Sequence, residues 1–271
     1  MPALTRRALG RPSWVELSSP DAAASRHFYC ELFGWYAYTL TVPGQGDYHV
    51  FTLGDVGGPE VAGMRALADD TEPPSWTCYF HTDDLASTLD TVRAEGGQEL
   101  VPPTDVSDLW RMAHCADSQG ADFALWTPGR LEGAGVVDEP RAMCWTELAC
   151  EDPEEAVRFY GEVFGWRAVH RAYYTDYVNF KVGDWSVGGL VALKELRSAG
   201  YRDPPAHWIP YIWVTDCDAA TARAAELGAR VLLPPTTIPP GRFAVLSDPT
   251  GARIDVITPA PGSMAERKRR P

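Results

Sequence analysis

Two short stretches each set an indole and a carboxylate two residues apart: Trp14-Val15-Glu16-Leu17 and Trp145-Thr146-Glu147-Leu148. In extended backbone, side chains two apart share a face, so each pair projects to one side of a strand. Such a pair can lay an aromatic plane against a flat ligand while the carboxylate accepts a hydrogen bond from a hydroxyl or pairs with an ammonium. The alternative is a structural carboxylate balanced by an internal arginine such as Arg111 or Arg242. His49, His81, His114 and Asp255 also fall in strand-like runs. No Ser-His-Asp or Cys-His order accompanies them. Gly57-Gly58 and Gly188-Gly189 lack the spacing and following helix of a phosphate loop. The six cysteines form no Cys-x-x-Cys pair and fall mostly in apolar stretches, which predicts reduced thiols and neither a disulfide nor a zinc site.

The elements that must position these residues occur twice. Phe28-Tyr29 and Leu32-Phe33-Gly34-Trp35 return as Phe159-Tyr160 and Val163-Phe164-Gly165-Trp166, and Pro102-Pro103-Thr104 returns as Pro234-Pro235-Thr236. A repeat over nearly the whole length predicts two homologous domains, 12–128 and 141–259, joined by a Gly-, Pro- and acid-rich linker over 129–140. Each domain divides again. A strand near Ser13–Ser18 leads to a helix that begins at Asp21 and stops at Gly34, and three strand-like runs follow. A second strand, helix and three strands begin at Trp76. The expected fold is α+β, with four βαβββ units forming two tandem domains.

A chain of 271 residues, 45% hydrophobic, can bury substantial cores. The formal charge is −13, and Arg6, Arg7, Arg11, Arg267, Lys268, Arg269 and Arg270 sit in the tails, so the folded body is more acidic still. Such a surface repels phosphate backbones, which argues against nucleic acid as a partner and favours cationic small molecules. No run has the ~20 apolar residues of a membrane span, and no signal peptide is evident. The expected protein is cytoplasmic, independent of membranes and monomeric.

The four-fold unit, the repeated Phe-Tyr and Phe-Gly-Trp motifs, and the turn Asp248-Pro249-Thr250-Gly251 with Asp255 four residues on resemble the vicinal oxygen chelate family over roughly residues 12–259. This family includes glyoxalase I, extradiol dioxygenases, fosfomycin-modifying enzymes and bleomycin-binding proteins. The resemblance implies paired units curled around a cavity. In catalytic members a divalent cation is held there by His, Glu or Gln from the first strand, the strand opening the second unit, and the last strand. Those positions here are Trp14 and Trp145, near Thr77 and Pro210, and Ala124 and Asp255. An indole offers no lone pair for coordination, and a divalent metal site takes about three protein ligands. The resemblance therefore implies a chelating site that has been lost, with no metal, no cofactor and no catalytic residue assigned. Glu16, Glu147, His81, His114 and Asp255 would be the ligands of any rearranged site.

With ten tryptophans and eleven tyrosines in the chain, aromatic walls are expected to replace the metal. The candidate ligand-binding residues are Trp14, Glu16, Tyr48, His49, Trp110 and His114 in the first half, and Trp145, Glu147, Tyr177, Trp208, Phe243 and Asp255 in the second. The Phe28-Tyr29 and Phe159-Tyr160 pairs, with Trp35 and Trp166, read as packing residues. By resemblance to drug-binding and tandem actinomycete members, the expected function is metal-free sequestration or carriage of a planar aromatic, anthracycline-like polyketide. That would serve antibiotic biosynthesis or self-resistance, with a biosynthetic oxygenase as a partner whose product is withdrawn. The alternative is an enzyme of the family, a dioxygenase, hydroxylase or lyase acting on an aromatic polyketide with Glu16, Glu147 and Asp255 as acid–base groups. Glyoxalase chemistry ranks below both, since its four-ligand pattern is absent.

Overall fold

The computed structural model describes residues 8–68, 72–170, 177–198 and 205–263. The basic termini, including Arg6, Arg7 and Arg267 to Arg270, lie outside the described residues. In the first half the order is β1 (Pro12–Ser19), α1 (Ala22–Phe33), β2 (Tyr36–Val42), β3 (Gly46–Thr52), β4 (Glu60–Ala66), β5 (Ser75–His81), α2 (Leu85–Ala94), β6 (Gln98–Val106), β7 (Trp110–Ala116) and β8 (Asp122–Pro128). The second half continues with β9 (Met143–Cys150), α3 (Pro153–Phe164), β10 (Arg167–His170), β11 (Val178–Val182) and β12 (Trp185–Ala192). A short α4 (Leu193–Ser198), which the pattern did not predict, precedes β13 (His207–Trp213), α5 (Cys217–Glu226), β14 (Arg230–Ile238), β15 (Gly241–Ser247) and β16 (Arg253–Pro259). This is an α+β fold of four βαβββ units in two tandem domains.

Each half is one eight-stranded sheet, ordered β2-β3-β4-β1-β5-β8-β7-β6 and β10-β11-β12-β9-β13-β16-β15-β14. The two units of a half join at the antiparallel pair of their first strands, where Trp14 faces Tyr79 and Trp145 faces Tyr211. The helices have local causes. Asp21 and Asp152 accept hydrogen bonds from first-turn amides, and Gly34 and Gly165 end α1 and α3 in the left-handed conformation, φ 64° and 67°.

Strand alternation divides each sheet into an inner face, carrying the Trp–Glu pairs, and an outer face packed on helices. The outer faces of both halves merge into one core. Phe80 on β5 meets Phe164, Trp166 and Trp208 of the other half at ring separations of 5.5, 5.3 and 5.0 Å.

The halves are also fastened reciprocally. Tyr29 on α1 donates to Asp248 Oδ2 at 2.9 Å and accepts from Trp76 Nε1 at 2.9 Å. Tyr160 on α3 donates to Asp117 Oδ2 at 2.9 Å and accepts from Trp208 Nε1 at 2.7 Å. Both aspartates use Oδ1 to hold their own turns, taking the amides of Gln119 and Ala121, and of Thr250, Gly251 and Ala252. The tyrosine of each Phe-Tyr motif thus reads the opposite half's turn. Residues 129–140 are equally fixed. Ala134 N donates to Ser13 O and Gly135 N to Glu60 O, both at 2.8 Å, and Leu131 is buried in the first half.

Tyr160→Phe strands a buried carboxylate oxygen and a buried indole N–H together, so we expect destabilisation of about 1–3 kcal/mol in denaturant titration. A loss within error of zero would show that the reciprocal bonds do not hold the halves together.

Candidate functional site

Each inner face is built around its carboxylate. In the first half Trp14 Nε1 donates to Tyr48 Oη at 2.9 Å, and Tyr48 in turn bonds Glu16. Tyr79 Oη donates to Glu16 Oε1 at 2.9 Å, which leaves its oxygen to accept from His114 Nε2 at 3.0 Å. Arg65 Nε stands 3.7 Å from Glu16 Oε1. The second half repeats the motif. Trp145 Nε1 donates to Tyr177 Oη, Tyr177 donates to Glu147 Oε2, and Tyr211 donates to Glu147 Oε1, each at 2.9 Å. Room for the tyrosine comes from a glycine on the neighbouring strand. A Cβ at Gly63 or Gly189 would stand well inside van der Waals contact of Tyr48 or Tyr177.

Burial raises both glutamates above the usual carboxylate range, against the pull of the phenols that hold them. Burial also lowers His114 to about 4, so its imidazole is neutral near neutral pH. Asp255 is pushed up to about 7 by burial, with Arg253 opposing and Glu147 reinforcing the shift.

The two interiors diverge in their filling. In the first, Trp14 stacks on Trp126 at 6.0 Å, Trp126 on Trp110 at 5.0 Å, and Trp110 meets Tyr48 at 4.9 Å. Trp14 and Trp126 are 0% exposed and Trp110 is 4%. Trp110 and Trp126 keep buried indole N–H groups without a hydrogen-bond partner, so these two rings are held by packing alone.

The ladders place Gly241 and Ile257 of the second half where Trp110 and Trp126 stand in the first, because Trp110 pairs Pro128 as Gly241 pairs Pro259, and Met112 pairs Trp126 as Phe243 pairs Ile257. Two indoles are therefore missing from the second interior. Its lining is correspondingly looser: Glu147, Tyr177, Trp213 and Phe243 are partly exposed, whereas Glu16 and Tyr48 are buried. A cleft of about 50 Å³ opens beside Trp145, between the starts of β9 and β12 and the segment at Arg11 and Asp138. Arg11, read from sequence as a tail residue, lies over the Trp185 ring at 5.6 Å.

Trp14, Glu16, Tyr48, Trp110 and His114 do converge, but as the packed interior of the first half and not as the walls of an open site. Trp145, Glu147, Tyr177, Phe243 and Asp255 share the inner face of the second. Two expected ligand residues lie elsewhere. His49 is on the opposite face from Tyr48 and bonds Thr39 Oγ1 at 2.9 Å, as alternation requires of strand neighbours. Trp208 faces outward into the core shared by both halves, where its N–H goes to Tyr160. Neither proposed arginine partner reaches a glutamate: Arg111 stands 3.6 Å from Asp105 and Arg242 pairs with Asp218, both on the surface. The arginine beside Glu16 is Arg65. Sequence reasoning also missed Tyr79 and Tyr211 as holders of the carboxylates, although their recurrence opposite the two tryptophans was the available signal.

The donor set does not suit the divalent cation of catalytic relatives. Trp14 and Trp145 present N–H donors where a lone pair is needed, and both Glu147 oxygens are engaged by phenols. Among the described residues no three His, Cys, Asp or Glu side chains come together as a metal cluster. No helix of the described residues is long and apolar enough to cross a membrane.

Gly189→Ala would displace the Tyr177 hydroxyl from Glu147, and we expect a loss of about 1–3 kcal/mol by thermal or denaturant unfolding. An unchanged stability would show that the close approach is dispensable. Asp255 holds its proton in the native state up to about pH 7, whereas an unfolded aspartate loses it near 3.9. Its stabilising contribution is therefore complete below about pH 4 and lost as pH rises through about 7. Asp255→Asn should flatten the decline of stability across that window, and an identical slope in the variant would refute the shift.

Comparison with known proteins agrees with this architecture. Residues 11–125 match the Glyoxalase/Bleomycin resistance protein/Dioxygenase superfamily, and residues 145–257 match the Glyoxalase-like domain. The chain is 38% identical over 265 residues to "Putative glyoxylase CFP32" of Mycobacterium tuberculosis, covering 96% of this chain and 99% of that one. It is also 38% identical over 270 residues to the anthracycline biosynthesis protein DnrV of Streptomyces peucetius, covering 94% and 95%. Among solved structures, the 2,3-dioxygenase LapB from Pseudomonas sp. KL28 superposes with TM-score 0.62 at 14% identity, covering 93% of each chain. The Mn(II)-bound glyoxalase from Novosphingobium aromaticivorans gives 0.60 at 14% identity, covering 95% of this chain and 90% of that one. With its duplicated βαβββ pairs and whole-length relatives, this chain belongs to the glyoxalase/bleomycin resistance/dioxygenase superfamily, the vicinal oxygen chelate proteins, as a tandem of two glyoxalase-like domains.

Proposed function

We propose that this protein is a metal-independent receptor for a planar polycyclic metabolite of the anthracycline class, and that the ligand is held in the second half. The observation that carries this is the substitution of Trp110 and Trp126 by Gly241 and Ile257 at matched positions of the second interior. The first half supplies its own stacked aromatic filling. The second keeps Trp145, Tyr211 and Phe243 on its inner face, with Tyr211 and Phe243 at 6.1 Å, and lacks two of the planes that would complete the stack. A flat ring system is the ligand shape that restores them, at about 0.5–1.5 kcal/mol per aromatic contact beyond area burial. The cleft at Trp145 is smaller than the ~300–1,000 Å³ usual for a drug-sized ligand, so binding widens it. The relationship to DnrV supports the ligand class. Binding of this kind would shield the producing cell or withdraw product from a biosynthetic oxygenase.

A second reading, acid–base chemistry on the bound polyketide, draws support from Asp255, whose carboxyl is pushed up to about 7 beside the Tyr211 hydroxyl. Product analysis after incubation with polycyclic quinones separates it from binding alone.

Tryptophan fluorescence titrated with an anthraquinone probe should quench saturably at one site per chain. Ile257→Trp, which restores one missing indole, should weaken binding at least tenfold while leaving the melting temperature near that of the parent. Unsaturable quenching would remove the receptor function, and unchanged affinity in Ile257→Trp would remove the second half as its location.

A further inference from the structure

The two interiors differ in charge and in unmet hydrogen bonds as well as in filling. On the first sheet Glu16 faces Arg65 at 3.7 Å. The ladder position matching Arg65 is Val191 in the second half, since Ser18 pairs Arg65 and Ala149 pairs Val191. There the carboxylate loses its arginine and gains a second acid, because Asp255 occupies the position of Ala124 opposite the tyrosine of the first-strand pair. Arg253 stands beside the two acids, with Nε 3.7 Å from Asp255 Oδ1 and Nη1 2.9 Å from His207 Nε2. Burial lowers His207 to about 4, so it adds no charge near neutral pH.

Two acceptors on this face go unused. Asn179 Oδ1 on β11 and Asp255 Oδ1 on β16 have no hydrogen-bond partner, and their residues are 6% and 1% exposed. Asn179 points inward because its strand neighbours Val178 and Phe180 pack into the outer core. Its counterpart across the repeat is Val50, which pairs Gly63 as Asn179 pairs Gly189. So both orphaned acceptors stand where the filled half carries apolar side chains. A buried acceptor is expensive to leave unmet, and the orphan on an uncharged amide shows that the deficit is not simply one of crowded acids.

Building on the second half as the aromatic receptor, we propose that its occupant carries a protonated amine, whose N–H donor meets Asp255 Oδ1 while its rings lie against Trp145 and Phe243. An ammonium offers donors and no acceptor, and it can approach Asp255 Oδ1 more closely than Arg253 Nε does at 3.7 Å. Tyr177 and Tyr211 cannot fill the gap, because their protons already go to Glu147.

Calorimetric titration of the full chain with three probes that share one ring system tests the assignment: daunorubicin, its N-acetyl derivative and the sugar-free aglycone daunorubicinone. The amine should bind at least tenfold more tightly than the N-acetyl form. Asp255→Asn, checked for folding by its melting curve, should abolish that ratio while still binding the aglycone. Equal affinity for amine and amide, or a ratio that survives in Asp255→Asn, overturns the ammonium assignment and leaves the aromatic receptor standing. Binding of none of the three overturns both.

Discussion

A carboxylate placed on the inner face of a curved sheet has to be met by donors, and that requirement organises both halves of this protein. Glu16 and Glu147 are each approached by two phenols, one of which is itself fixed by an indole N–H. Four residue identities on four strands follow from the single acid: the tryptophan two residues before it, a tyrosine on the third strand of its unit, a tyrosine on the strand opening the next unit, and the glycine that leaves the first tyrosine room. Change the acid and the reason for the other four disappears. The tryptophan two residues before each acid is thus part of a hydrogen-bond chain. It does more there than fill space.

On this common frame the halves have taken different courses. The first closes on itself with three stacked indoles and balances Glu16 with Arg65. The second has glycine and isoleucine in place of two of those indoles, valine in place of the arginine, and an additional buried acid. Duplication permits this, since a rigid, filled copy can support a looser one. Support is literal here: each half's tyrosine is bonded to the other's turn, and the two outer faces share one hydrophobic core. The unmet acceptors of the second half cost stability, and the core it shares with the closed half offsets that cost.

Much of the frame was legible in the chain. Repeated Phe-Tyr and Phe-Gly-Trp motifs, aspartate caps and glycine stops placed the strands and helices close to where they lie. Errors arose where facing mattered. Tyr48 and His49 cannot both look inward from one strand, and Trp208 belongs to the parity opposite Tyr211, so period-two alternation applied strictly would have removed both errors. Arg65 and Asn179 carried no sequence signal, because their meaning lies in what stands at the same ladder position of the other half. Loops of unequal length hide that equivalence in a linear comparison.

Read as a string, the residues already specified a duplicated α+β chain, since the repeat and the strand and helix patterns depend on local spacing. Which interior carries the stacked indoles and which carries the unsatisfied acceptors became visible only in three dimensions. That outcome rests on residues from β1, β3, β7 and β8, and from β9, β11, β13 and β15, being brought together, and the hydrogen-bond balance of an interior belongs to the assembled set. The same holds for Tyr29 and Tyr160. Each looked like an ordinary packing residue of its own helix, yet each is bonded to a turn on the far side of the repeat.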